Sequence, residues 1–167
     1  MNLRLLVFFI FAGWAGPVAA GDLSDYPFFE AVSGAWVGEG ELTNSDGVVT
    51  SIHEDWTGEM NEEGAFVMAG SRNFGDELQE FHWKFSFNSV TEFIECEYWH
   101  TGMNEPSTFE IVLTDVRIEL RTPFGGSSGV LLISNSISEG KIEGEVSVVN
   151  GNGEIQIGGQ VTHRKAG

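Results

Sequence analysis

Gly34-Ala35-Trp36-Val37-Gly38-Glu39-Gly40-Glu41-Leu42 is the stretch whose reading decides the fold. In an extended chain alternate side chains share a face, so Trp36, Gly38, Gly40 and Leu42 point one way and the residues between them the other. Glycine at two inward positions lets such a strand bend sharply and leaves room beside it. The stretch opens a series of runs with strand character, at 35–43, 48–58, 65–73, 78–88, 91–100, 107–114, 116–122, 129–137, 141–149 and 154–164. Turn chemistry separates them: Asn44-Ser45-Asp46-Gly47, Gly75-Asp76, Glu139-Gly140 and Asn150-Gly151-Asn152-Gly153. No crossover helix interrupts the series, so the runs form an up-and-down meander. Closure removes exposed strand edges, which favours a barrel over an open sheet. The expectation is all-β: a ten-stranded antiparallel barrel. One short helix over 22–33 precedes it, capped by Ser24, with Pro27 near its start and Phe28, Phe29 and Val32 on its apolar side.

Residues 1–20 read as a cleaved signal peptide. Arg4 supplies the positive start, residues 5–11 an apolar run too short to span a bilayer, and Val18-Ala19-Ala20 a small-residue cleavage site before Gly21. Residues 21–167 then form a single barrel domain, exported to the periplasm or the extracellular space. All 25 acidic residues lie in that part, and so do all but one of the 8 basic ones, making it one unit more negative than the −17 of the whole chain. Such a surface repels nucleic acid and anionic membranes, favours solubility, and points to a neutral or cationic partner. Cys96 is the sole cysteine, so no internal disulfide supports the fold.

Parity along the fourth run gives the cleanest division of faces. Phe81, Trp83, Phe85 and Phe87 lie inward, while Glu80, His82, Lys84 and Ser86 lie outward. In the fifth run Ile94, Cys96, Tyr98 and His100 face in. A two-residue turn at Ser89-Val90 would pair Phe85 with Ile94, Trp83 with Cys96 and Phe81 with Tyr98. Inward residues elsewhere are Ile52, Glu54 and Trp56, then Phe66, Met68, Gly70 and Arg72, and on the last run Ile155, Ile157, Val161 and His163. Following the chain up and down brings Trp36 close to His163 and Arg164 at one end. Arg72, Gln79 and His100 meet at the other mouth, with Glu54 one strand further round.

These residues resemble the calycin superfamily of lipocalin-like barrels. There a G-x-W tryptophan on the first strand packs beside a basic residue near the end of the last, with a cation–π contact as the physical reason. Gly34, Trp36, Gly38, Gly40 and Arg164 carry the likeness, and the run from Gly34 to Gly40 is most similar to the ten-stranded nitrobindin branch and to secreted bacterial lipocalin-like proteins. The resemblance implies the fold; the convergence of Arg72, Gln79 and His100 on one mouth, beside aromatic inward rows, leads to the expectation of a small hydrophobic ligand with an acidic or polar head. The candidate ligand-binding residues are Glu54, Trp56, Arg72, Gln79, Phe81, Trp83, Phe85, Tyr98 and His100. An arginine fork suits a carboxylate head. Two alternatives accompany this reading: a haem or nitric-oxide protein using His100 as ligand, and a structural or interaction barrel filled by its own aromatics. Nitrobindins carry their haem histidine just before or early in the last strand, and residues 150–154 contain none. No nucleophile–base pair or metal cluster is legible, so no catalytic residue and no resident cofactor or metal are assigned.

Overall fold

The computed structural model describes residues 22–125 and 129–167; the signal-peptide reading of residues 1–20 lies outside them. A single 3-10 turn, Leu23–Asp25, leads into helix α1, Pro27–Val32. Ten strands follow: β1 Gly34–Asn44, β2 Val49–Met60, β3 Phe66–Phe74, β4 Glu77–Asn88, β5 Phe93–His100, β6 Ser107–Leu113, β7 Arg117–Phe124, β8 Gly129–Ser138, β9 Lys141–Val149 and β10 Ile155–Lys165. Each pairs antiparallel with its sequence neighbours, and β10 pairs with β1 to close the barrel. Both the fold class and the meander follow the sequence reading.

Three of the hairpins are built on one device. Asn44, Asn61 and Asn150 each accept two backbone N–H bonds on the side-chain oxygen, from the residues two and four positions on, at 2.9–3.0 Å. In each, the glycine three positions on (Gly47, Gly64 or Gly153) takes a positive φ, which its missing Cβ permits. A side chain that satisfies the turn's own donors fixes loop length, and loop length fixes strand register.

The β4–β5 hairpin shows what happens when loop length is misjudged. The turn is four residues long, Ser89 to Glu92, not two. Asn88 accepts from Val90 N and Thr91 N, and Glu92 takes φ of 59°. Strand pairing therefore shifts by two: Phe85 faces Cys96, Trp83 faces Tyr98, and Phe81 faces His100. A shift of two keeps every side chain on its expected face.

The helix also differs from expectation. It is split into the 3-10 turn and α1; Asp22 rather than Ser24 supplies the side-chain cap, accepting from Ser24 N. Pro27 stands at the start of α1, where its lost donor costs nothing. Phe28, Phe29 and Val32 are buried against one end of the barrel, with the Phe29 ring 5.0 Å from that of Phe66 and 5.4 Å from that of Phe85. Trp36 Nε1 donates to the Val32 carbonyl at 2.9 Å, tying helix to first strand.

The last strand brings two corrections. Trp36 pairs in register with Lys165, and Lys165 Nζ lies 4.3 Å from the Trp36 ring centre while also donating to the Ser33 carbonyl. Arg164 faces solvent, because one residue of strand reverses a side chain's face. Ile155 is 62% exposed, since a register irregularity between Ile155 and Ile157 turns it out of the inward row.

Candidate functional site

Gly38 pairs with Glu54 on β2 and with His163 on β10. All three positions point inward, but glycine contributes no side chain, so the flanking ones meet in front of it. His163 Nε2 donates to Glu54 Oε2 at 2.8 Å. A Cβ at Gly38 would stand 2.3 Å from His163 Cδ2 and 2.6 Å from Nε2, so the ring occupies the space that the glycine vacates. The room expected inside beside Gly38 is therefore filled by an imidazole.

Glu54 is shared. Its other oxygen, Oε1, lies 3.6 Å from Arg72 Nη1, and Arg72 Nη2 donates to the Tyr98 hydroxyl at 2.8 Å. The guanidinium lies over the Phe81 ring, 4.4 Å from its centre. Burial alone would raise the Glu54 carboxyl, but the His163 hydrogen bond and the charge of Arg72 hold it below its ordinary value. For Tyr98, burial outweighs the pull of Arg72 and pushes the phenol up, so it stays a neutral acceptor. Two buried atoms of this cluster have no hydrogen-bond partner among the described residues: His163 Nδ1 and Arg72 Nε.

The cluster forms one wall of an interior cavity of about 150 Å³. Six of the nine sequence candidates line it: Glu54, Trp56, Arg72, Phe81, Trp83 and Phe85. Its remaining walls come from α1 (Phe28 and Val32), from β1 and from β7 to β10, including Ile118, Leu120, Ile133, Val146 and Val161. No described residue of β5 or β6 lines it. On that side the rings of Trp83, Tyr98 and Phe109 pack together, with Trp83 4.2 Å from Tyr98 and 5.1 Å from Phe109. The barrel is thus filled on one flank and hollow on the other.

That asymmetry places the other three candidates. Tyr98 stands behind Arg72 and reaches the cavity only through it. Gln79 pairs with Arg72 in register at the rim without lining the hollow. His100 turns its Nδ1 to the Thr101 carbonyl at 2.7 Å and lies off the cavity. Three polar lining residues stand outside the candidate set: His163, Asn135 and Glu145. The signal for His163 was its parity with Val161 together with the bare glycine opposite it on β1.

Cys96 is fully buried, and burial pushes its thiol far up from the ordinary range. The outward histidine His53 sits 3.1 Å from Asp55 at the surface, and its side chain does not line the cavity.

No family model and no curated protein matches the chain. Solved structures do match it in fold. An S-type phycobiliprotein lyase, CPES from Guillardia theta, is 9% identical with a TM-score of 0.59, over 88% of this chain and 94% of that one. Rv2717c from M. tuberculosis is 13% identical with a TM-score of 0.63, over 89% and 99%. A DUF3598-family protein of unknown function from Nostoc punctiforme is 13% identical with a TM-score of 0.53; the match covers 83% of this chain and about half, 49%, of that one. At such identities the likeness is one of fold alone, that of a closed ten-stranded antiparallel barrel.

Proposed function

We propose that this barrel binds a small, largely apolar molecule non-covalently in its interior. The carrying observation is the cavity itself: aromatic and aliphatic walls, with Glu54, Arg72 and His163 gathered on one side. Hollows with apolar walls and a few convergent polar groups are the usual form of small-molecule sites. Volume then limits the occupant. About 150 Å³ falls below the ~300–1,000 Å³ of pockets for drug-sized ligands and matches apolar cavities that take benzene. The occupant is therefore one ring or a short branched chain.

Charge narrows the head group. Arg72 already faces Glu54, so the pair is balanced and a carboxylate ligand would bring in a surplus negative charge. A neutral polar head suits the site better than an acidic one. The haem alternative rested on His100, which is off the cavity, and a macrocycle exceeds the space. The wall-lining hollow argues against a wholly filled structural barrel. Among the solved neighbours, the one named as a phycobiliprotein lyase is in keeping with a calycin-like barrel that handles a small molecule.

Export belongs to the same proposal and is supported by Arg4, the apolar run 5–11 and Val18-Ala19-Ala20; the intact mass of the protein from its host should begin at Gly21. A closer kinship with nitrobindins is supported by the Gly34 to Gly40 run alone. Binding is tested by titrating benzene into the barrel while recording aromatic resonances. Saturable shifts of Phe81 and Trp83 are expected. Shifts that never saturate, or that scatter over the outer face, would remove the cavity as a site.

A further inference from the structure

The two unmet atoms in the cluster are of opposite kinds. With Glu54 accepting from His163 Nε2, the neutral form of the ring carries its lone pair on Nδ1, an acceptor. Arg72 Nε–H is a donor. Both residues line the same cavity, and His163 is only 6% exposed. The Cδ2–Nε2 edge of the imidazole lies against Gly38, so the opposite edge, with Nδ1, turns away from the β1 wall. Leaving either atom unpaired in a dry interior is costly, and buried polar groups are paired in all but rare cases.

We propose that the cavity takes a small hydroxyl-bearing ring, a phenol or a cyclic alcohol. Its O–H donates to His163 Nδ1, and Arg72 Nε–H is the donor to an oxygen of the same molecule. This rests on the binding reading above and narrows it to a ligand class. An apolar ring alone fills the volume but leaves both atoms unmet. An ether offers an acceptor to Arg72 and nothing to His163. A carboxylate meets a charge that Glu54 has already balanced. Only a ligand with both a donor and an acceptor completes the set.

Four probes of similar size separate these cases on the unaltered protein: benzene, anisole, phenol and benzoate, each titrated by calorimetry at neutral pH. Phenol is expected to bind at least about tenfold tighter than anisole or benzene, and benzoate weakest, since satisfying a buried polar atom is worth about one decade in affinity. The His163 Nδ1 nitrogen resonance should move upfield on adding phenol and stay put with benzene. Anisole or benzoate matching phenol, or phenol binding without moving that resonance, would overturn the proposal while leaving the cavity a binding site. Failure of all four probes to bind would overturn the binding reading and this proposal with it. His163→Leu gives a second check: it should level phenol with benzene, and a retained preference would sink the assignment.

Discussion

Glu54 and His163, 109 residues apart in the chain, meet at 2.8 Å across a glycine that belongs to the strand between them. Gly38 is the reason this contact exists, and Gly38→Ala tests it. The added Cβ would stand 2.3 Å from His163 Cδ2 and 3.1 Å from Val161 Cγ1, so the ring must move. Overpacking of this sort costs about 1–3 kcal/mol. The expected result is a lower urea midpoint with unchanged slope, together with loss of the His163–Glu54 coupling in side-chain NMR. An unchanged midpoint would show that the ring has another place to go.

Acid should loosen the barrel through Glu54. A carboxyl held low in the folded state binds its proton less readily there than in the unfolded chain. Its contribution is present above the unfolded value and lost as pH falls through the folded one. For Glu54 the loss begins near the ordinary value of 4.5 and continues below it. Glu54→Gln removes this component and leaves Arg72 with less compensation, at a cost of about 3 kcal/mol near neutral pH. Urea midpoints between pH 6 and 3 should fall more steeply for the parent than for the variant. Parallel curves would take Glu54 out of the acid response.

Much of the fold was legible because strand parity is a local property. The inward row Phe81, Trp83 and Phe85 and the ten runs needed only alternation and turn residues. What escaped depends on counting or on distance. The β4–β5 register turned on how many residues Asn88 could cap, which alternation does not reveal. Choosing Arg164 instead of Lys165 was an error of one residue at a strand end, where parity reverses the face. The candidate site was read from the wrong flank in part: Gln79, Tyr98 and His100 share its mouth or its face, but the Trp83–Tyr98–Phe109 packing that fills their side emerges only in three dimensions. His163 required knowing that β10 closes onto β1 beside an empty position.

Lys165, and not Arg164, should be the basic residue that matters at the closed end. Its ammonium lies over Trp36 and donates to the Ser33 carbonyl, tying the last strand to the chain just after α1. At a site this exposed a cation–π contact contributes about 0.5–1 kcal/mol. Lys165→Ala is expected to lose about 1 kcal/mol in denaturant unfolding, and Arg164→Ala to stay within about 0.5 kcal/mol of the parent. The reverse order would mean that the strand end adopts the other register.

Cys96 should behave as a hydrocarbon. It is 1% exposed, faces Phe85 and Phe109 across the neighbouring strands, and its thiol is pushed up by burial. Alkylation by iodoacetamide at pH 8 requires the thiolate and access to it. In the folded protein the reaction should be roughly a thousandfold or more slower than in urea, tracking the free energy of opening. Comparable rates in the two conditions would place the sulfur at the surface.

The hollow flank can be filled without rebuilding the barrel. Val146 lines the cavity from β9, opposite Ile133 on β8 and Gly159 on β10. Val146→Phe sends a ring into a space of about 150 Å³ that has room for something of that size. Because a void absorbs the added atoms, stability should change by no more than about 1 kcal/mol, short of the penalty for crowding a full core. Benzene and phenol should then fail to produce saturable shifts. A variant that folds normally and binds both as before would move the ligand out of the barrel, leaving the Glu54, Arg72 and His163 cluster a purely structural tie between the first, second, third and last strands.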